Sequence, residues 1–427
     1  MSQAGFSFRL AVLALSFFMV GGCAGGKLKA ARDAFFIDGD PNTAVQSLEK
    51  EHPGGLSALL LFMEKGMLMH RAGRFSESIA ELRQASALME KQDRLSVSQQ
   101  TASILVNDWM TEYKGEYCER LWVHTYLMID YLMVNRYEDA LVEAKQALKI
   151  VDAYPEALSE AYFSLALIGL CYELLDEYND AYIIYERMAR SMPDPESVRE
   201  ELIRMGRLSG IEPDDSQASI CRDSDEGHRP FSGAESEVIL FVGTGNGPVK
   251  VSGDIVLPPG IRISWPRYQN RSVANDFVGV DAGDRRLSAK TVGTDLNRVA
   301  RISLAKRAKT IIAKEAARVF AKEAIAQQVE KEDDPFTSFM TRLILMAMEE
   351  ADTRSWQTLP ARNTLLRLRL EPGIHHLAVL FEDSGIGHRI DLPPFAIQAG
   401  QRAFFVVSAT DRFAAVYGGA SISSDFR

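Results

Sequence analysis

Four regimes of hydrophobic patterning follow one another along the chain. Leu10 to Val20 (LAVLALSFFMV) is an almost unbroken apolar run behind a lone Arg9. It is shorter than the ~20 residues a helix needs to cross a bilayer, and it has the form of a signal-peptide core. Between residues 27 and 210 apolar positions recur at helical spacing, in paired stretches separated by short turns. From Glu212 to Ser236 the period gives way to Pro, Asp, Ser and Gly, which predicts a linker. Beyond it, runs of alternating or β-branched residues predict strands over Glu237–Val242, Val249–Ser252, Ile261–Trp265, Leu365–Leu370, His376–Phe381, Ile390–Leu392 and Ala403–Val407. The turns Pro259-Gly260 and Pro372-Gly373 suit antiparallel connections, so a β-sandwich-like sheet pair is expected. Two helical segments interrupt it, Leu296–Glu330 and Phe336–Glu350. The expected architecture is multidomain α and α+β. It comprises a leader over 1–22, a helical array over 23–211, a linker over 212–236, and a β-sandwich-like domain with inserted helices over 237–427.

The helical region repeats itself. One copy carries Leu165, Ile168, Gly169 and Tyr172, then Tyr178, Ala181, Tyr185 and Pro193. Another carries Phe62, Gly66, Gly73, Phe75, Ile79, Leu82 and Ala85 in the same register, and a third Tyr137, Ala140, Leu141 and Ala147, with Met128 at the glycine position. A half-copy stands in front with Phe35, Gly39, Ala44 and Leu48. The pattern resembles the tetratricopeptide repeat (TPR). Gly66 and Gly169 let two helices approach closely, Ala140 and Ala181 are their small partners, and the aromatics fill grooves between hairpins. Phe75 to Tyr137 is 62 residues and Tyr137 to Tyr178 is 41, against a family repeat of ~34, so the superhelix is irregular, with an extra helix expected around Ser96–Tyr113.

Val20-Gly21-Gly22-Cys23 follows the apolar run and resembles the lipobox of bacterial lipoproteins. That resemblance implies a diacylglycerol on the Cys23 thiol, cleavage before Cys23 and an N-acyl chain on the new terminus, with no other cofactor. Several acyl chains make such anchoring stable. Ala24 rather than Asp favours the outer membrane by the same analogy. A formal charge of -10 argues against nucleic acid as a partner. Cys118, Cys171 and Cys221 leave an odd count in the mature chain. Cys118 and Cys171 fall too far apart along parallel helices to bridge, so inert thiols are expected.

Signals for chemistry are weak. Gly243-Thr244-Gly245-Asn246-Gly247-Pro248 is followed by a strand where a phosphate-binding loop needs a helix, so it reads as a glycine-rich hairpin turn. The seven histidines form no His-Glu-x-x-His frame, and Cys-x-x-Cys is absent, so no metal site is expected. Tyr113, Tyr117, Arg120 and Trp122 cluster in an aromatic and charged stretch near the middle of the array, as candidates for contact with a partner or as seals between repeats. Leu296–Glu330 is rich in Arg and Lys, either an anionic-surface contact or a solvated face.

The lipobox, divergent repeats, YKGEYCER stretch, Gly-Asn-Gly-Pro-Val-Lys turn and Asp352–Pro360 (DTRSWQTLP) together resemble a family of TPR-containing Gram-negative outer-membrane lipoproteins. No catalytic residues are assigned in that family. The resemblance implies a neighbourhood with a lipoprotein activator of penicillin-binding proteins, and hence peptidoglycan synthesis. The function expected is a non-catalytic scaffold that binds another envelope protein at the periplasmic face of the outer membrane. The alternative is a glycan- or small-ligand-binding module or hydrolase in the C-terminal domain.

Overall fold

The turn inside each helical pair sets the architecture of the N-terminal half. The computed structural model describes residues 22–49, 51, 54–96, 111–211, 236–257, 261–271, 276–283, 285–287, 289–308, 311, 313, 317, 350–383 and 386–419. Helices α1 (Gly22–Phe36) and α2 (Pro41–Glu49) precede three hairpins. These are α3 (Ala58–Arg71) with α4 (Phe75–Ser96), α5 (Tyr117–Met133) with α6 (Tyr137–Ala153), and α7 (Tyr162–Leu174) with α8 (Tyr178–Ser191); α9 (Glu196–Leu208) closes the array. Each hairpin turn places one residue in left-handed backbone: Gly73 (φ 73°), Asn135 (φ 58°) and Asp176 (φ 59°). Glycine adopts this without steric cost, and Asn and Asp tolerate it. The aromatic two residues on opens the second helix. Tyr137 Oη donates to Asn135 Oδ1 at 3.0 Å and Tyr178 Oη to Asp176 Oδ1 at 2.5 Å.

Close helix contact explains the repeat spacing. A Cβ added to Gly66 would lie 2.6 Å from the Leu82 side chain, and one on Gly169 would lie 2.8 Å from the Tyr185 ring. Ala140 and Ala181 are fully buried at the facing positions. The region is TPR-like. The front half-copy packs as a separate small core of Phe35, Ala44 and Leu48 with Leu68 and Met69.

The C-terminal half is built on two sheets. The central one has the order β13 (Ala414–Gly418), β12 (Arg402–Ala409), β1 (Ser236–Thr244), β7 (Arg362–Leu370), β6 (Lys290–Asp295). The outer one has the order β10 (Ile386–Asp391), β9 (Leu377–Asp383), β4 (Asp276–Ala282), β5 (Arg285–Leu287). Strands β2 (Val249–Leu257) and β3 (Ile261–Gln269) form a separate ribbon, as do β8 (Gly373–His375) and β11 (Phe395–Ile397). β1 and β12 run parallel, with Val238 opposite Ala403; β1 and β7 run antiparallel.

The central sheet is buried on both faces, which is why β1 reads as an unbroken apolar run. Val238, Leu240 and Val242 of β1, Leu366 and Leu368 of β7 and Phe405 of β12 face the outer sheet and meet Val379 and Phe381 of β9. Ile239 and Phe241, Leu365, and Phe404 and Val406 point the other way, into the same core as the helices. The layers are therefore helices, central sheet, outer sheet. Among the described residues no helix is long and apolar enough to cross a membrane.

Several expectations change. The Gly243–Pro248 run is not a hairpin turn, because β2 pairs with β3 rather than with β1. Instead Gly247 N donates to Leu359 O at 2.8 Å, and a Cβ there would sit 2.9 Å from that oxygen. Strands β4, β5, β6, β8, β11 and β13 had no clear sequence signal. The basic segment is helical over 296–308 (α10), and most of the rest of Leu296–Glu330, the helix expected over Phe336–Glu350 except Glu350 itself, and most of the extra helix expected around Ser96–Tyr113 lie outside the described residues. Met1–Gly21, including Val20 and Gly21 of the lipobox, and most of the linker lie outside them too, while Gly22 and Cys23 open α1.

Candidate functional site

A TPR-like array offers its first helices along an inner face, where partner segments ordinarily lie. Along α3 and α5 that face is occupied by residues 351–361 of the same chain, a strap that turns at Gln357–Thr358 and leads into β7. The first helices α3, α5 and α7 each carry a buried acid in an otherwise apolar setting: Glu64, Glu119 and Glu173. All three point at the C-terminal half.

Glu64 holds the strap by its backbone. Its carboxylate accepts from Gln357 N at 3.0 Å, Thr358 N at 3.3 Å and Thr358 Oγ1 at 2.6 Å, and from Arg32 Nε at 3.0 Å. Glu119 accepts from Trp356 N at 2.8 Å, from Glu116 N at 2.8 Å and from Tyr113 Oη at 2.5 Å. Cations take the opposite polarity: Arg32 Nη2 donates to Ser355 O at 3.1 Å, and Arg271 donates to Gly247 O and Gln357 O. Arg354 reaches back to Leu56 O at 2.8 Å and Thr111 O at 3.0 Å. Farther along, Ala361 N donates to Thr244 O, and Leu296 N to Ala361 O, both at 2.8 Å. The ring of Trp356 is buried beside Tyr126. Arg354 and Trp356, whose run reads from sequence as part of a family signature, are the anchors of this strap.

Glu116 is the centre of a second clasp. It accepts from Lys250 Nζ at 2.6 Å and Arg307 Nη1 at 2.5 Å, which ties the β2–β3 ribbon and α10 to the start of α5. Burial alone would raise its carboxyl, but the two cations outweigh it and bring it down to about 2. Burial raises Glu119 next door, and the Glu116 charge adds to that.

The third clasp is an ionic cluster between α7 and the central sheet. Arg367 makes a two-pronged contact with Glu173, both N–O distances being 3.0 Å, while its Nε donates to Glu237 Oε1 at 2.6 Å. Arg402 bridges the same two acids at 2.6 and 3.1 Å, and Arg204 meets Glu173 at 2.7 Å. Burial opposes ionisation of Glu173, yet Arg367, Arg402 and Arg204 hold it well below the usual carboxylate range. Glu237 is lowered in the same way, against its own burial.

The residues read from sequence fall as follows. Tyr113 and Trp122, candidates for partner contact, are interior: Tyr113 bonds Glu119, and Trp122 belongs to the shared core. Tyr117 is half-buried and stacks on Tyr154 with ring centroids 3.7 Å apart, and Arg120 pairs with Asp93. All four serve contacts within the protein. Tyr137 lies 6.2 Å from the Phe404 ring of the central sheet, Tyr172 is buried in the core, and Phe75 meets Tyr417 of β13 at 6.0 Å. The basic residues of α10 are matched by acids of the array: Arg298 with Glu160, Lys306 with Glu156 and Arg307 with Glu116. Arg301 donates to Asn270. These pairs lie at the surface, Arg298 and Lys306 being 62% and 48% exposed. Among the described residues no group of three or more His, Cys, Asp or Glu could hold a metal ion.

Sequence reasoning missed Glu64, Glu119 and Glu173 as a set. The available signal was an acid inside an apolar helix, as in YFSLALIGLCYEL for α7, because a carboxylate buried there requires a cation or amide donors.

The fold defines a class: a TPR-like helical array fused face-on to a two-sheet domain. The chain is similar to three solved repeat proteins. MamA AMB-1 shares 14% identity, covering 48% of this chain and 91% of that one, with a TM-score of 0.30. A Podosopora anserina putative kinesin light chain with nearly identical TPR-like repeats shares 16% over 47% of this chain and 96% of its own, TM-score 0.32. BtubC (BKLC) from P. vanneervenii shares 14% over 53% and 90%, TM-score 0.29. No family model and no curated protein matches the chain.

Proposed function

We propose that this protein is a non-catalytic scaffold of the bacterial cell envelope, lipid-anchored through Cys23 at the periplasmic face of the outer membrane. It contacts another envelope protein through the outer side of its TPR-like repeats, in the service of peptidoglycan synthesis. The observation that supports this use of the repeats is the strap. With the inner face filled by the chain itself, the second helices of the hairpins are left to meet a partner. Val142 of α6 and Ile183 of α8 stand at equivalent positions of successive repeats, and both are exposed, at 55% and 49%. Large apolar side chains repeating on one solvent face suit a protein partner. The lipid and envelope parts of the reading rest on the lipobox and on the resemblance of the whole chain to envelope lipoproteins.

The test is cross-linking of the tagged protein in intact cells, followed by identification of what co-purifies, with Val142→Asp/Ile183→Asp and Cys23→Ser as comparisons. Recovery of one envelope protein, lost in the double variant, supports the scaffold. An unchanged set of proteins in the double variant removes the outer face from the reading. A Cys23→Ser protein that stays in the membrane fraction removes the anchor.

A further inference from the structure

Arg71, the last residue of α3, has a guanidinium in the helix–sheet core that forms no salt bridge among the described residues. It is fully buried, and its Nε and Nη1 have no hydrogen-bond partner among those residues. Nη2 reaches only the Thr358 carbonyl, at 3.4 Å, and the Phe35 ring centroid lies 5.4 Å from Cζ. The charges around it do not balance. Arg32 and Arg71 both press on the Arg271 charge, and the Glu64 carboxylate that supports Arg271 is itself paired with Arg32. An interior cation without a counter-charge is among the costliest arrangements in a protein.

A cavity of about 10 Å³ adjoins Arg71, lined also by His70, Tyr126, Pro360, Asn363 and Ser408. All six of these side chains are buried. The space suits one particle near the size of a water molecule. Sulfate, phosphate and carboxylates are too large for it. Asp130, behind His70, is turned to His70 Nδ1 at 2.5 Å and does not line the cavity. The Tyr126 hydroxyl and the Asn363 amide bond each other at 3.1 Å, and the rest of the wall is neutral and largely apolar, with Met67, Ile129, Phe163, Phe241 and Val406.

We propose that this cavity binds a single halide ion, chloride in ordinary salt, held by Arg71 Nε and Nη1. The ion neutralises the excess positive charge where α3, α5, the strap and strands β7 and β12 converge. It thereby joins the helical array to the sheet domain, independently of any partner.

The test uses the full chain in sodium chloride, sodium bromide and sodium gluconate at matched ionic strength. The unfolding midpoint should rise saturably in the two halides by on the order of 2 °C or more over gluconate. Crystals grown in bromide should show an anomalous peak in contact with the Arg71 guanidinium. Arg71→Met should remove the halide-dependent shift; if that variant fails to fold, the bromide peak in the unaltered protein decides alone. A midpoint that follows ionic strength without regard to the anion, or a site that holds water with no bromide signal, overturns the proposal.

Discussion

Glu64 and Thr358 stand 294 positions apart in sequence, and the carboxylate of the first accepts both the amide and the hydroxyl of the second, at 3.3 and 2.6 Å. The contact is between an inner-face helix and a turn of the strap, held largely by its main chain. It makes the strap an internal occupant of the repeat groove.

Removing that carboxylate should unfasten the strap. Glu64→Ala leaves Arg32 and the strap amides without their acceptor, and breaking a buried pair in this way costs about 3–5 kcal/mol. Urea unfolding followed by circular dichroism should show the midpoint falling accordingly. A loss within about 0.5 kcal/mol, typical of surface sites, would show that the strap is not held here.

Acid should act through the clasps. Glu116 has a folded value of about 2 against an ordinary 4.5, so its contribution is complete above pH 4.5 and is lost as pH falls toward 2. Glu173 and Glu237 shift in the same direction and add to the loss. Glu201, raised by burial, works the opposite way and offsets part of it. Stability measured by denaturant at stepped pH should therefore decline below pH 4.5, with ~3 kcal/mol from Glu116. Lys250→Met should flatten that decline; an unchanged slope would remove Glu116 as its source.

Close approach of α3 and α4 can be tested by paired substitutions. Gly66→Ala should destabilise by about 1–3 kcal/mol through overpacking against Leu82. In a Leu82→Ala background the same change should cost much less, because the space is then open. A double-mutant cycle reads the coupling directly, and additive effects would mean that the helices adjust freely.

Cys118 and Cys171 are buried and unpaired with each other, and burial raises both thiols. In a Cys23→Ser/Cys221→Ser variant neither should react with an aromatic disulfide reagent until the protein is denatured, when two thiols should titrate. Prompt reaction of the folded variant would place one of them at the surface.

The repeats were legible because their determinants are local. Gly66 and Leu82, or Gly169 and Tyr185, lie sixteen residues apart in one hairpin, and the turn residue sits two before its aromatic. Most principal strands were legible for the same reason. What a single sequence did not convey was which face each strand and acid would meet. Glu173 finds Arg367 194 residues away and Glu119 finds the Trp356 amide 237 away. Tyr113 and Trp122 fit either a partner contact or a seal between repeats on sequence alone, and the structure places both in the interior. Strands β4, β5, β6 and β13 are short or polar, and their pairing rather than their composition makes them strands.

The two-sided burial of the central sheet also sets an order of events during synthesis. The helices emerge first, with Glu64, Glu119 and Glu173 still in water, and their cover arrives only with the strap and β7. Arg402–Ala409, which pairs with β1 and supplies Arg402 to Glu173, comes almost last. A chain interrupted before the strap would carry a finished helical array with an exposed apolar and acidic inner face, a recognisable mark for proteases and chaperones that sort incomplete products.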